Sequence, residues 1–327
     1  MYNLSNQVLE QYPFDVEEVL KGRGAYICKT NQGKIILREF PGSKERAAAL
    51  EQILLRLQEA GVDADVILHT AEGELLAKDG EETAYYARNY IEGRECDPKN
   101  RDDILRAMEE MAAMHVALHG SMEQEKCVPG EAFLGEVCKH NRELRKVRNY
   151  IHGKHKKNAF EMMFMQHFDV FMSQAQAVEQ RLERWLAGAG EDRRKEMYGI
   201  CHGDYNQHNV LFAGKRTYLT NWEQACCDMQ VVDVANFLRK LMEKHNFHVG
   251  LASDMMRAYE KRRKLSADEW EQLYLRMAYP EKFWKVANHY FNSNKAWVSG
   301  RDIEKLRKVL EQEEKRQEFL RMLFNFE

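Results

Sequence analysis

Residues 200–212 read Ile-Cys-His-Gly-Asp-Tyr-Asn-Gln-His-Asn-Val-Leu-Phe, and Asp204 stands five positions ahead of Asn209 between two apolar, β-prone pieces. Phosphoryl transfer asks for a carboxylate that orients and deprotonates an attacking hydroxyl, with an oxygen ligand for magnesium close by. An Asp and an Asn at the two ends of one tight loop supply both. The pair by itself is commonplace, and a surface turn with incidental polar residues is the plain alternative. His202-Gly203 directly before the Asp, and the β-prone flanks, weigh towards chemistry.

Such a loop needs elements to hold it. In the first ninety residues Val16–Leu20, Ala25–Lys29 and Lys34–Phe40 are short and β-prone, separated by Gly22/Gly24 and by Asn31–Gly33. Antiparallel strands with tight turns fit that punctuation. Ser43 precedes Ala47, Ala48, Leu50, Ile53, Leu54 and Leu57, apolar positions at helical spacing that stop near Gly61. Ala64–His69 and Thr83–Ile91 read as two further strands. Beyond Gly93 the pattern turns helical: Asp102–His119, Ala132–Ile151 and Phe160–Ala187, then, after the β-like stretch 198–223, Val231–Lys244, Ala252–Lys261, Ala267–Ala278 and on to Phe324. The expected fold is α+β: a β-rich lobe over residues 1–92, a connection near Tyr90–Gly93, and a helical lobe over 93–327.

Composition sets outer limits. Hydrophobic residues make up 44% of the 327 and charged residues 31%, enough for a substantial core under a solvated surface. Lys+Arg at 49 against Asp+Glu at 52 gives a formal charge of -3, which rules out bulk electrostatic capture of nucleic acid as the main function. No apolar run approaches the ~20 residues of a membrane-spanning helix. Met1–Glu10 lacks the basic-then-apolar layout of a signal peptide. Seven Cys, with no CxxC among them, argue against a disulfide framework and for a reducing compartment; Cys226 and Cys227 read as packing residues.

With loop and elements in place, the chain resembles the aminoglycoside phosphotransferase and choline kinase superfamily, whose catalytic loop reads H-G-D-x-x-x-x-N. The resemblance implies a two-lobed, protein-kinase-like fold, with ATP and Mg2+ as cofactors and a small-molecule alcohol as acceptor. By it Asp204 is the catalytic base, Asn209 a magnesium ligand and His202 a loop brace. The family next has a strand ending in a metal-binding Asp, then an aromatic residue and an acid. This chain reads Tyr218-Leu219-Thr220-Asn221-Trp222-Glu223, followed by Val232-Asp233-Val234-Ala235 at the position of a structural Asp. Asn221 is therefore the central departure, since magnesium is usually held by one or two carboxylates. Were the strand to continue, Glu223 would share a side with Asn221 and partly compensate as a third metal ligand. The kinase Lys of the third strand aligns with Arg38, a larger, forked group, whose partner is Glu51 or Glu45. Gly22-Arg23-Gly24 stands where a phosphate-covering turn would lie. Arg88–Gly93 resembles the interlobe hinge, with backbone at Asn89 and Ile91 meeting adenine.

Phe168-Asp169, Val232-Asp233 running into Phe237-Leu238-Arg239-Lys240, and Tyr279-Pro280-Glu281-Lys282-Phe283-Trp284 before His289-Tyr290 resemble the spore-coat kinase-like (CotS-type) family from about Val19 to Leu323. That resemblance implies residence in the mother-cell cytoplasm and the spore coat, coat proteins as partners, and, through Asn221 and Arg38, reduced or lost phosphotransferase activity. Two other features have duller readings. His115 and His119 have a zinc-compatible i, i+4 spacing, but with no third ligand they read as helix packing. Eight basic residues between Lys139 and Lys157 read as a solvated helix face with a basic loop; recognition of an anionic partner is the alternative.

Overall fold

The computed structural model describes residues 6–22, 24–120, 133–292 and 300–324; Arg23, Cys127 and Ala132 lie outside the described residues. The chain forms two compact units, residues 1–129, 198–233 and 258–264 in one and 130–197, 234–257 and 265–327 in the other.

The first unit opens with a short helix α1 (Asn6–Leu9) and the strands β1 (Val16–Lys21), β2 (Tyr26–Thr30) and β3 (Gly33–Glu39). These pair antiparallel in sequence order. The β2–β3 hairpin turns at Gly33, whose φ of 113° is open only to glycine. Helix α2 (Lys44–Glu59) begins at Ser43, whose hydroxyl caps the Arg46 N–H, and buries Ala47, Ala49, Leu50, Ile53, Leu54 and Leu57.

The apolar run Ala64–His69 does not form one strand. It divides into β4 (Asp63–Ala64) and β5 (Ile67–Leu68), which belong to different sheets. The cause is Asp65, a fully buried carboxylate at the point where the chain crosses from one sheet to the other. Strands β6 (Ala77–Lys78) and β7 (Ala84–Asn89) complete the first sheet, in which β7 pairs with β3, β5 and β6. Alternate residues of β2, β3 and β7 (Cys28, Ile35, Leu37, Ala87) face Val8, Leu9 and Tyr12 to make its core.

After the two-residue strand β8 (Arg94–Glu95), helix α3 (Arg101–Ala117) is capped by Asn100, which accepts from the Asp102 and Asp103 N–H groups. Buried Asp103 takes both guanidinium nitrogens of Arg94 and the Asp97 N–H, tying β8 to the helix start. The remaining strands of this unit are β9 (Tyr198–Cys201), β10 (Val210–Ala213), β11 (Arg216–Leu219) and β12 (Cys226–Met229). They form a second sheet of order β4-β11-β10-β8 and a two-stranded pair β12-β9.

The second unit is helical: α4 (Phe133–His152), α5 (Ala159–Gly188), a short α6 (Glu191–Lys195), most of α7 (Val231–Lys244) and α8 (Val249–Glu260), then α9 (Ala267–Ala278), α10 (Glu281–Asn292) and α11 (Gly300–Leu323). Helix α8 starts three residues before the apolar pattern does, because His248 Nδ1 accepts the Leu251 N–H and acts as its cap. Capping boxes start α5 (Asn158 with Glu161) and α9 (Ser266 with Glu269).

The core of this unit is aromatic. Phe283 of α10 stacks on Phe171 at 4.1 Å and on Phe164 at 5.2 Å, both from α5. On α4 the basic residues divide by role. Arg148 lies over the Phe168 ring, and Lys154, just past the helix end, pairs with Glu161. Lys139, Arg142, Arg145 and Lys146 are exposed. Truncating the central ring, Phe283→Ala, should cost about 3–5 kcal/mol, seen as a lower urea midpoint for the helical unit.

Candidate active site

The loop after β9 is held from beneath by one carboxylate. Asp233, wholly buried, accepts the His202 N–H at 2.7 Å on Oδ2 and the Gly203 N–H at 3.1 Å on Oδ1. His115 Nε2 lies 3.3 Å from the same Oδ2, and its Nδ1 meets the Tyr259 hydroxyl at 2.8 Å. The i, i+4 histidines are thus drawn inward to separate partners, His119 to Gln230. Among the described residues no group of three or more His, Cys, Asp or Glu is gathered as a metal would need. Burial opposes charge on Asp233, but the His115 hydrogen bond, the nearby His202 and its peptide N–H outweigh it and hold the carboxyl below its usual range.

Gly203 has φ +78°, and a Cβ placed there would stand 1.9 Å from the Gln224 carbonyl oxygen. The loop and the turn opposite approach so closely that only glycine fits. His202 is buried against Trp222, with ring centroids 4.5 Å apart; Nε2 bonds the Thr220 carbonyl and Nδ1 accepts the Asp204 N–H. Next to it, a hydrogen bond to Cys226 and burial push the Cys201 thiol well above its usual range, in keeping with a packing role.

These braces present Asp204 on the surface of the loop. Asn209 reaches back, donating from Nδ2 to the Asp204 carbonyl at 2.8 Å and to its Oδ2 at 3.3 Å. Asn221 donates in turn from Nδ2 to Asn209 Oδ1 at 2.7 Å. Asp204, Asn209 and Asn221 therefore converge in one hydrogen-bonded chain.

Strand β11 ends at Leu219 and does not run on to Glu223. Asn221 is left-handed (φ 67°, ψ 61°) and Trp222–Gln224 form a single 3-10 turn. Asn is among the few residues that tolerate this backbone, and Trp222 fixes the turn by donating from Nε1 to the Leu219 carbonyl. The alternation argument for Glu223 fails with the strand. Its carboxylate instead accepts from Arg38 Nη1 at 3.0 Å and from the Tyr86 hydroxyl, with Arg88 Nη2 at 3.7 Å. Burial would raise the Glu223 carboxyl; the Arg88 charge, the Tyr86 hydrogen bond and Arg38 bring it below its usual range.

Arg38 therefore pairs with Glu223, and neither helix carboxylate fills that role. Glu51 is taken by His69 Nε2 at 2.6 Å, and Glu45 folds back on the Ser43 cap. A Cβ at Gly24 would lie 3.9 Å from Arg38 Nη2, so the glycine turn and the Arg38 head group are neighbours. At the hinge position, Asn89 Oδ1 accepts the Val66 N–H at 2.6 Å and the Tyr90 N–H bonds the Lys34 carbonyl. Ile91 lies just past the sheet, half-buried.

Asp65 and Tyr86 had no role in the sequence reading, and Arg88 stood there only as the first residue of the hinge-like segment. Arg88 of β7 joins Asp65 through Nη1 and Asn221 Oδ1 through Nη2, the latter at 2.8 Å, and Tyr86 lies beside it. The available signal was a charge set inside each of two β-prone runs, Asp65 in 64–69 and Arg88 in 83–91. A magnesium ion does not fit the arrangement as it stands. Asn209 Oδ1 faces an amide donor, Asn221 Oδ1 a guanidinium, and Glu223 Oε1 a guanidinium and a hydroxyl.

A β-sheet unit with a His-Gly-Asp loop, an Asn five residues on, and an acid in a 3-10 turn facing the basic residue of the third strand defines a two-lobed α+β fold of the aminoglycoside phosphotransferase type. The structure of an aminoglycoside phosphotransferase from Alicyclobacillus acidocaldarius superposes with a TM-score of 0.88 at 19% identity, covering 99% of this chain and 96% of that one. Amicoumacin kinase hAmiN, solved with AMP-PNP, Ca2+ and Ami, gives 0.66 at 13% identity over 96% and 92%. The chain belongs to the family described as "Spore coat putative kinase YutH", which matches residues 5–323. It is also 21% identical over 326 residues to Spore coat protein S of Bacillus subtilis (strain 168), covering 96% of this chain and 92% of that protein.

Two substitutions probe the loop. Gly203→Ala should lose at least ~2 kcal/mol from backbone strain and the Gln224 clash, read as a lower melting temperature. For Asp233, a folded-state carboxyl below the ordinary value means that the folded protein binds fewer protons than the unfolded one. Its contribution is complete above pH ~4 and fades as pH falls through the depressed value. Asp233→Asn should thus cost about 1.5–3 kcal/mol at pH 7, with the gap to wild type narrowing below pH 4 in urea titrations.

Proposed function

We propose that this chain is a spore-coat-associated, kinase-like protein that keeps the phosphotransferase fold while magnesium-dependent phosphoryl transfer is reduced or lost. One observation carries the reading: the oxygens of Asn209, Asn221 and Glu223, which would meet the metal, are engaged by N–H and guanidinium donors of the protein itself. Two amides bring no net charge, and the one acid among them is neutralised by Arg38 and Arg88. Family membership and the likeness to a spore coat protein support a place in the coat, assembled with other coat proteins after synthesis in the mother-cell cytoplasm. Among the described residues no helix is long and apolar enough to cross a membrane. In this reading residues 1–92 are the nucleotide side and 93–327 the acceptor side of an ancestral kinase.

The exposed Asp204 carboxylate favours a second reading. With Asn209 bracing its loop, it is placed to take a proton from an acceptor hydroxyl, as an ATP-dependent kinase of a small-molecule alcohol requires. Arg38 under the Gly24 turn would then grip nucleotide phosphates.

A thermal-shift titration separates the two. A ligand at a hundred times its Kd stabilises by about 2.7 kcal/mol. The first reading expects no magnesium-dependent shift with millimolar ATP, and ATP consumption across an alcohol panel that is the same for wild type and Asp204→Ala. A metal-dependent shift together with turnover that Asp204→Ala abolishes would establish the second.

A further inference from the structure

The sequence places the departure from metal chemistry at Asn221, yet the geometry puts a second group directly behind it. Arg88 is 3% exposed and its partner Asp65 2%, so neither turns out to solvent without moving β7 or the β4–β5 crossing. The guanidinium donates to Asn221 Oδ1 at 2.8 Å and stands 3.7 Å from Glu223. Arg38 Nη1 reaches the same Glu223 oxygen, Oε1, at 3.0 Å.

Within the ion pairs the charges balance, Asp65 and Glu223 against Arg88 and Arg38, and Arg46 adds a further guanidinium at the Glu223 carbonyl, 2.6 Å from it. A divalent cation needs a surplus of negative oxygen at its site, and a fixed guanidinium beside the ligand removes that surplus. Asp65 Oδ1 and Arg88 Nε are buried without a protein partner among the described residues, so little screens the charge.

We propose that Arg88 is the group that excludes divalent cations from this site, a resident cation that captures whatever oxygen residue 221 presents. Asn221 alone is then not the cause. An Asp at 221 would keep the left-handed backbone, which Asp also tolerates, and would pair with Arg88 in preference to a metal. The inference rests on reading residues 202–223 as a former phosphotransfer centre, and it adds which residue closes it.

The test is binding of Mn2+ alone to the full chain, by electron paramagnetic resonance of free manganese, for wild type, Asn221→Asp, and Asn221→Asp combined with Asp65→Asn and Arg88→Gln. The last two are changed together so that neither leaves an unpaired buried charge. Wild type and Asn221→Asp are expected to hold no stoichiometric Mn2+. The triple variant should gain one site at least tenfold tighter than any residual binding to wild type. A site in wild type, a site gained by Asn221→Asp alone, or none in a folded triple variant overturns the proposal. Should the triple variant not fold, Asn221→Asp decides: a gained site overturns it, and no site with a raised melting temperature, from the new Asp–Arg88 pair, sustains it. Nucleotide is absent throughout, so ATP turnover by wild type would sink the functional reading by a separate measurement.

Discussion

A guanidinium cannot give up its proton in a protein, so burying Arg88 obliges its surroundings to supply opposite charge. Asp65 and Glu223 do so: burial favours loss of the proton, and the two carboxylates, Asp65 first, more than offset it. The consequences spread through the β-rich unit. Asp65 must lie beneath the sheet, which breaks the 63–68 run into β4 and β5 and carries the chain from one sheet to the other. Residue 221 must offer an oxygen to Nη2 while its own N–H lies 3.3 Å from Asp65 Oδ2, and the left-handed backbone there meets both demands. Glu223 then falls one 3-10 turn further on, where Arg38 and Tyr86 complete its shell.

An amide suits position 221 in this setting because it has both a donor and an acceptor. Its oxygen takes the guanidinium and its nitrogen supplies Asn209. A carboxylate offers only acceptors when ionised, so Asn209 would have to turn its amide round and release the Asp204 carbonyl. The identity of residue 221 is thereby coupled to the posture of the loop five residues after the catalytic-type Asp, and through Asn209 to Asp204 itself.

Much of the fold was legible because its signals are local. Ser43 and the apolar spacing after it mark α2; Val231–Lys244 and Ala267–Ala278 coincide with α7 and α9 to the residue. The His-Gly-Asp…Asn loop was equally plain, since Gly203 and Asp204 are adjacent in the chain and the need for glycine is written in its type. What escaped depends on residues far apart in sequence. Arg88 and Asp65 are 23 positions apart, Arg38 and Glu223 185 apart, and no spacing rule joins them. Glu51 looked a fitting partner for Arg38 because it occupies the helix after the strand, but proximity in the chain carried no information about His69. Strands β6 and β8, two residues each, are too short for any alternation to register.

The backbone of the loop and the residues 221–223 are supported largely by different interactions, and that separation explains how one can persist while the other changes. Asp233, His202, Gly203 and Tyr205, whose hydroxyl reaches the Ala107 carbonyl at 2.7 Å, fix the backbone from the α3 and β9 side. The hydrogen bonds of Asp233, His202 and Gly203 run to one another, to His115, to Asp204 and to Thr220. The anchorage through Asp233, His202 and Gly203 is therefore independent of whether residue 221 is Asn or Asp, and only the Asn209 link to the Asp204 carbonyl would adjust. The converse does not hold. Loss of Asp233 would leave two consecutive peptide N–H groups without their acceptor, at about 1–3 kcal/mol for each buried donor. Selection on the fold alone would thus preserve the His-Gly-Asp geometry with or without catalysis, and under the proposed function it is the charge balance around residue 221 that bears on activity.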